Sequence, residues 1–272
     1  MLLRLASALV WSTALFVAPI EAASQGLLSG VDLNSPEMTT SEMTREEVDA
    51  LLKAARQDSA NQRPADLQGK RLSHLDLSGL DFSGSNLRLA KLNRANLRGA
   101  RFDGAILNQA WLVDADLAEA SLVKASLLST QMQRARLDGA DLSEARITAD
   151  LSGARLVAAK LAGADLSADM RNQSMGVMRG VLKSADLRNA DLSRANLSRA
   201  DLAFAKLQNA NLANCNLDRA DLAGADLSNA RLAGADLTGA DLASAQLPGA
   251  AALTEARNLD KARNLSQARR PP

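Results

Sequence analysis

The sequence predicts a solenoid of five-residue repeats rather than an ordinary globular domain. Leucine recurs at every fifth position fourteen times in succession, from Leu182 to Leu247. From Leu187 onward a small residue stands two positions before each leucine, and it is alanine everywhere except at Cys215. Helices require apolar spacings of three and four residues, and half-buried strands require strict alternation. A period of five fits neither pattern, so the chain is interpreted as an internal repeat.

Composition supports a narrow tube and excludes several classes of protein. Aromatic residues make up 2% of the 272 residues, whereas a globular core of that length normally uses large rings to fill space. The formal charge is +1, from 32 basic and 31 acidic residues, so no net field favours nucleic acid or an anionic membrane. The single cysteine excludes an intramolecular disulfide and a cysteine-rich metal site.

An earlier run has the same period from Leu67 to Ile147, with an apolar residue at each of its seventeen centres. The unit Ala185-Asp186-Leu187-Arg188-Asn189 and its copies in both runs resemble the pentapeptide-repeat proteins. The resemblance implies an all-β solenoid, a right-handed quadrilateral β-helix with five residues on each side. The leucine and the small residue two positions before it would point inward. The family does not imply one activity.

Two irregularities interrupt the repeat region, which we place at residues 64–250. The step from Ile147 to Leu151 is four residues, which indicates that one side has lost a residue. The second irregularity covers residues 167–181. The favoured threading continues the tube through Met170 and Met175, with two extra residues bulging between Gly176 and Gly180. The alternative is an exposed loop that carries a binding site.

The amino-terminal residues predict an exported protein. Residues 1–22 have Arg4, an apolar run and a small-residue cluster, which is the layout of a secretory signal peptide cut after Ala22. An uncleaved anchor is the alternative. After cleavage the protein would be periplasmic or secreted, with no stable membrane span.

A short helix is expected to cap the tube. Residues 23–43 carry no period and are interpreted as a linker, and residues 44–63 as the capping region. Thr44 and Glu47 have the spacing of a capping box, which predicts a helix from Arg45 to about Gln57. This helix would cover the open end of the tube, and partner binding is the alternative. The period changes to six in residues 251–272, which predicts either a looser terminal coil or a short helix, followed by a tail.

The arrangement of reactive residue types predicts no enzyme, no cofactor and no metal site. His74 is the only histidine and lies at an outward corner, while Cys215 points inward. The candidate interaction surface consists of Lys91, Trp111, Asp201, Asp221 and Asp241. Lys91 and Trp111 are expected to be neighbours one coil apart. The three aspartates are expected to form a column, relieved by Arg199 and Arg219 or, alternatively, binding a divalent cation.

We therefore expect an exported, non-enzymatic scaffold that presents flat β-faces to an unknown protein or cell-envelope component, and no nucleic acid as partner. One alternative is a DNA mimic that interacts with gyrase. Residues 66–101 contain three acidic and seven basic residues, which disfavours that alternative and suggests an anionic envelope polymer or lipid surface. A polysaccharide-active or cation-binding β-helix is a further alternative. The sequence leaves the oligomeric state open.

Overall fold

The protein is described by a computed structural model that covers residues 31–57, 64–169 and 178–270. Three helices, α1 (Pro36–Thr39), α2 (Arg45–Gln57) and α3 (Ala250–Thr254), lie outside the repeats. Two 3-10 turns, Leu259–Lys261 and Leu265–Gln267, follow α3. In the described ranges, no helix has the length and apolar character needed to cross a membrane. The predicted signal peptide, the first part of the predicted linker, residues 58–63 and 170–177, and the last two residues of the predicted tail, 271–272, lie outside these ranges.

The repeats form coils of twenty residues that pair in parallel. Lys91 bridges Trp111 and Asn96 bridges Asp116, and the regular coils carry four such bridges each. The N–H of Leu92 donates to the carbonyl of Trp111 (2.7 Å), and the N–H of Trp111 donates back to Ala90 (2.9 Å). Inside the tube, the Phe82 and Phe102 rings stack with centroids 4.8 Å apart, which matches the usual spacing of paired strands. The predicted five-residue side is confirmed.

A tight turn forms each corner and limits how far the chain stays extended. At a representative corner the N–H of Ala95 donates to the carbonyl of Leu92 (3.1 Å), and Arg94 has a positive φ of 56°. Positive φ at the third residue is the signature of a type II turn. Because a corner follows every few residues, the coils pair through isolated bridges rather than through long strands.

The interior is filled by the leucines and the small residues, as predicted. Leu212 and Ala210 are completely buried, and so is Cys215. The Cys215 thiol donates to the carbonyl of Leu192 (2.7 Å), and burial raises its pKa to about 12. A thiol that stays protonated is a poor nucleophile, so Cys215 is a packing residue.

Helix α2 has the predicted bounds and the predicted capping box. The N–H of Thr44 donates to a Glu47 carboxylate oxygen (2.8 Å), and the N–H of Glu47 donates to the Thr44 hydroxyl (3.3 Å). Val48 and Leu52 are buried and pack against the core of the tube. The helix therefore covers apolar residues at the first coil.

Two arginines of α2 also bind the edge of the first coil. Arg45 donates to the carbonyls of Asp76 (2.7 Å) and Ser78 (2.8 Å), and Arg56 donates to that of Asp81 (2.8 Å). One coil later, the equivalent carbonyls accept from backbone N–H groups of the preceding coil. The first coil has no preceding coil, so guanidinium groups replace those donors.

Residues 32–43, predicted to belong to a linker, instead form an ordered segment that we call the strap. It contains α1 and pairs in antiparallel fashion with the first coil through Ser41 and Leu72. The N–H of Glu42 donates to the carbonyl of Arg71 (2.9 Å). The strap is held by a few individual long-range contacts rather than by a repeating pattern, so periodicity does not reveal it.

The bridge register explains both irregularities. Gln131 pairs with Asp150, nineteen residues later, which confirms the side that is one residue short. Asp150 then pairs with Val181, thirty-one residues later. Met170 and Met175 lie outside the described residues, but this register leaves a single side between Asp165 and Val181. The favoured threading, which needs two additional sides there, is therefore wrong. The chain leaves the tube at Asp169, whose N–H donates to the carbonyl of Met178 (2.9 Å), and returns at Gly180.

Gly180 lies where the excursion rejoins the tube, and replacing it is expected to lower the stability of the protein. Its N–H donates to the carbonyl of Leu166 (3.0 Å), and a Cβ there would stand 2.9 Å from both the Leu166 Cβ and its carbonyl oxygen. We expect Gly180→Ala to destabilise the protein by about 1–3 kcal/mol, because the overlap is with backbone and cannot relax. Gly249→Ala is the matched control, since a Cβ there meets nothing within 4 Å. Equal urea midpoints for the two variants would contradict this account.

The last coil ends the tube with sides longer than five residues. Asp236 pairs with Arg257, Asp241 with Arg263 and Gln246 with Arg269, at separations that grow from 21 to 23 residues. Asn258 and Asn264 adopt positive φ at the start of the two 3-10 turns. The sequence predicted either a looser terminal coil or a short helix, and the structure contains both.

Candidate functional site

The five candidate residues lie on one side of the tube, which we call face A. Its bridge column, in order, is Arg71, Lys91, Trp111, Gln131, Asp150, Val181, Asp201, Asp221, Asp241 and Arg263. The rejected threading would have placed the aspartates two sides away from Lys91 and Trp111. Because the observed pairing skips the excursion, the aspartates lie on the same face as Lys91 and Trp111. Gln131, Asp150 and Val181 lie between the two groups.

The strap covers the amino-terminal part of face A. The Lys91 ammonium bonds the Glu37 carboxylate (2.7 Å), and the lysine side chain is only 17% exposed. This contact holds the pKa of Glu37 below its ordinary value. The Asn93 side chain donates to the carbonyl of Met38 (3.3 Å), and both residues are buried. Trp111 is half-buried beside Lys91 in the bridge column.

The predicted basic patch near the start of the tube is largely neutralised. Glu42 of the strap pairs with Lys70 (3.2 Å) and Arg71 (3.3 Å). Further along, Arg98 pairs with Glu119 (2.9 Å) and Arg101 with Asp103 (3.0 Å). The charge count between residues 66 and 101 did not include these acidic partners, because they come from the strap (Glu42), from the next coil (Glu119) and from just beyond residue 101 (Asp103).

The aspartates of face A cap their own corners. One carboxylate oxygen of each accepts from the N–H two residues later, at 3.1 Å for Asp201 and 3.0 Å for Asp221 and Asp241. Bonds from Asn264 and the backbone, together with the Arg263 charge, hold the pKa of Asp241 below its ordinary value.

The arginines that offset the negative charge of the aspartate column differ from the predicted ones. Asp201 pairs with Arg179 (3.3 Å) and Asp241 with Arg263 (3.4 Å). The predicted partner Arg219 lies beside Asp218 instead (3.8 Å). Across the described ranges, no group of three or more acidic, cysteine or histidine residues is arranged to hold a metal ion. Each aspartate of the column has one oxygen engaged as a turn cap.

A row of alanines adjoins the aspartates, and an exposed aromatic side chain lies next to this row. Ala203, Ala223 and Ala243 each follow an aspartate by two residues. Phe204 is 59% exposed, and its ring lies where a Cβ on Gly224 would be 2.6 Å away. The carboxyl-terminal part of face A is thus a shallow surface with acidic groups along one edge and an exposed ring along the other.

A concave feature at the carboxyl-terminal end and the single histidine carry little reactive chemistry. A cavity of about 330 Å³ at the last coil is lined by apolar residues such as Leu253 and Leu259, together with Arg270. His74 is exposed at a corner with a φ of 63°, as expected from its sequence position. It lies several coils from Cys215, so the two do not form a nucleophile and base.

Comparison with known families identifies the repeat. The family model described as pentapeptide repeats matches eight copies over residues 71–109, 110–148, 181–219 and 215–250, more than half of the chain. The chain belongs to the pentapeptide-repeat family. The matches leave out residues 149–180, where the structure has the short side and the excursion.

Solved pentapeptide-repeat proteins resemble this chain over most of its length. HetL, involved in heterocyst differentiation regulation in Nostoc sp. strain PCC 7120, is 30% identical over 79% of this chain and 92% of its own, with a TM-score of 0.32. QnrB1, a plasmid-mediated fluoroquinolone resistance protein, is 18% identical over 75% and 84%, with a TM-score of 0.37. A protein from the Arabidopsis thaliana thylakoid lumen is 24% identical over 65% and 68%, with a TM-score of 0.15. No curated protein sequence matches significantly.

Proposed function

We propose that this pentapeptide-repeat protein is an exported, non-enzymatic scaffold that binds a protein or cell-envelope component on face A. The observation that carries the proposal is the strap, because it lies on this face as a bound segment would. Lys91 supplies charge and Asn93 supplies an amide to that segment. Family membership further leads us to infer a right-handed coil.

The shape and chemistry of the tube favour binding over catalysis. Corner carboxylates such as Asp201 and Asp221 are engaged by backbone N–H groups, and Cys215 is buried with a raised pKa. A rigid repeat surface also suits contact with an extended partner, because solenoids present continuous faces. Polysaccharide cleavage would need a raised-pKa carboxylic acid opposite a second carboxylate, and face A holds the pKa of Asp241 low.

Export is tested by locating the native protein. Residues 1–22 carry the signal-peptide pattern, so we expect the mature form outside the cytoplasm with a new amino terminus at Ala23. Cell fractionation followed by amino-terminal sequencing measures both. A variant with Leu9→Arg and Leu15→Arg, which breaks the apolar run, should stay in the cytoplasm. Full-length protein in the cytosol of the native host would refute export.

The gyrase alternative is tested separately with purified protein. A DNA mimic needs a long acidic face, whereas the acidic part of the face A column is interrupted by Val181 and bordered by Arg179 and Arg263. We expect no inhibition of gyrase supercoiling at protein concentrations well above that of the enzyme. Dose-dependent inhibition that is lost in Asp221→Lys would favour the DNA mimic.

A further inference from the structure

We propose that the part of face A beneath the strap is a peptide-binding groove, and that its partner is a protein segment with a carboxylate followed directly by a long, unbranched apolar side chain. In this structure the strap is the intramolecular occupant of that groove. The inference names the partner class for the proposed scaffold function and therefore rests on it.

The groove recognises three chemical features of the strap. Lys91 bonds the Glu37 carboxylate (2.7 Å), and Asn93 bonds the backbone carbonyl of the next residue, Met38 (3.3 Å). The Asn93 side-chain oxygen is held in place by the N–H of Val113 (3.0 Å). The groove thus contacts the charge of Glu37, and then the backbone carbonyl and the apolar side chain of Met38, the next residue.

The apolar part of the groove is shaped to its occupant. Met38 is 8% exposed, and Val113, an outward residue of the tube, is 3% exposed. The cavity left between Met38, Leu33 and the tube is about 10 Å³, which is at the lower limit for one water molecule. An unbranched side chain fills an irregular groove of this kind well.

The contacts that hold the strap suit a reversible occupant. Glu37 is 66% exposed, although its partner Lys91 is only 17% exposed, and Glu42 makes its two ion pairs with side chains that are about 40% exposed. Exposed ion pairs contribute little and weaken with salt. Helix α2 has its own buried anchors in Val48 and Leu52. The strap can therefore leave without removing the cap of the tube.

The test uses the full chain with its strap released and the strap supplied as a peptide. Glu37→Ala combined with Met38→Asp removes both anchors and leaves every groove residue intact. We expect a labelled peptide of residues 32–43 to bind this variant with a Kd between about 1 μM and 1 mM, measured by fluorescence anisotropy. The parent protein should bind it at least about tenfold more weakly, because its own strap competes at high effective concentration.

Charge reversal identifies the groove. Adding Lys91→Glu to the released variant should weaken binding about tenfold, and a peptide carrying Glu37→Lys should restore it. Lys206→Glu, an exposed change on another side of the tube, is the matched control and should leave binding unchanged. No binding up to about 1 mM, or equal binding with Lys91→Glu, would overturn the proposal. Failure of export would leave this result untouched.

Two further measurements decide the role of the strap. Hydrogen exchange of the Glu42 amide should be faster than that of the Leu52 amide in the parent protein, because the strap opens by itself. Equal exchange, or a released variant that fails to fold by circular dichroism, would show that the strap is an integral part of the fold and overturn the proposal. Dimerisation of the released variant through its own groove would likewise count against a foreign partner.

Discussion

Replacing Leu212 by Asp is expected to lower the free energy of unfolding by more than about 4 kcal/mol, because the change opens a cavity and buries an unpaired carboxylate. Leu212 is completely buried in the middle of the regular run, between the coils of Leu192 and Leu232. Each coil of a solenoid contacts only its neighbours, so a defect at this point interrupts the tube rather than one end of it.

The measurement is urea unfolding followed by far-ultraviolet circular dichroism. The parent protein should give a β-rich spectrum with a small helical contribution from α2. Ala213→Asp is the matched control, since its side chain is the outward neighbour of Leu212, and it should cost less than about 1 kcal/mol. Similar midpoints for Leu212→Asp and Ala213→Asp would contradict the inward placement of leucine.

The second large effect is expected at the amino-terminal edge. Replacing both Arg45 and Arg56 by Ala removes the donors to the carbonyls of Asp76, Ser78 and Asp81. Charge-assisted hydrogen bonds contribute about 1.5–3 kcal/mol each. Both arginine side chains are partly exposed, at 38% and 45%. After discounting for solvent screening, we expect a loss of about 2–3 kcal/mol for the double variant.

The same change should also promote association. Unpaired edge groups offer a template to another chain, so the double variant should sediment as larger species than the parent protein at the same concentration. Lys53→Ala is the control, because this lysine pairs only with Asp49 on the same helix among the described residues. It should change stability by at most about 0.5 kcal/mol. If the double variant matched Lys53→Ala in both measurements, the guanidinium groups would not be protecting the edge.

Family and coil could be predicted from the sequence because the evidence for them is periodic. Each side of the tube requires an inward Leu, an inward small residue and a tight corner. These requirements recur every five residues, so a short stretch of sequence shows them. Stacking the sequence in coils of twenty residues correctly placed Lys91 beside Trp111. It also correctly placed Asp201, Asp221 and Asp241 in one column. The capping box of α2 was visible for the same reason, since Thr44 and Glu47 are only three residues apart.

The features that depend on single long-range contacts could not be predicted in this way. The strap is fixed by Glu37 and Met38 against Lys91 and Asn93, more than fifty residues later, and neither partner has a sequence signature. The roles of Arg45 and Arg56 depend on carbonyl groups, which every residue carries. Spacing alone could not reveal these contacts.

The sequence by itself determined the five-residue side, the inward leucines and the column of aspartates, because the coil geometry repeats with the residues. Only the tertiary structure decided that the aspartates share a face with Lys91 and Trp111. That outcome depends on Asp150 pairing with Val181 instead of a residue near Met170. The physical reason is that either path keeps the apolar period, while the pairing of Asp150 with Val181 makes the stretch from Asp165 to Val181 a single side and so sets the register of every coil beyond it.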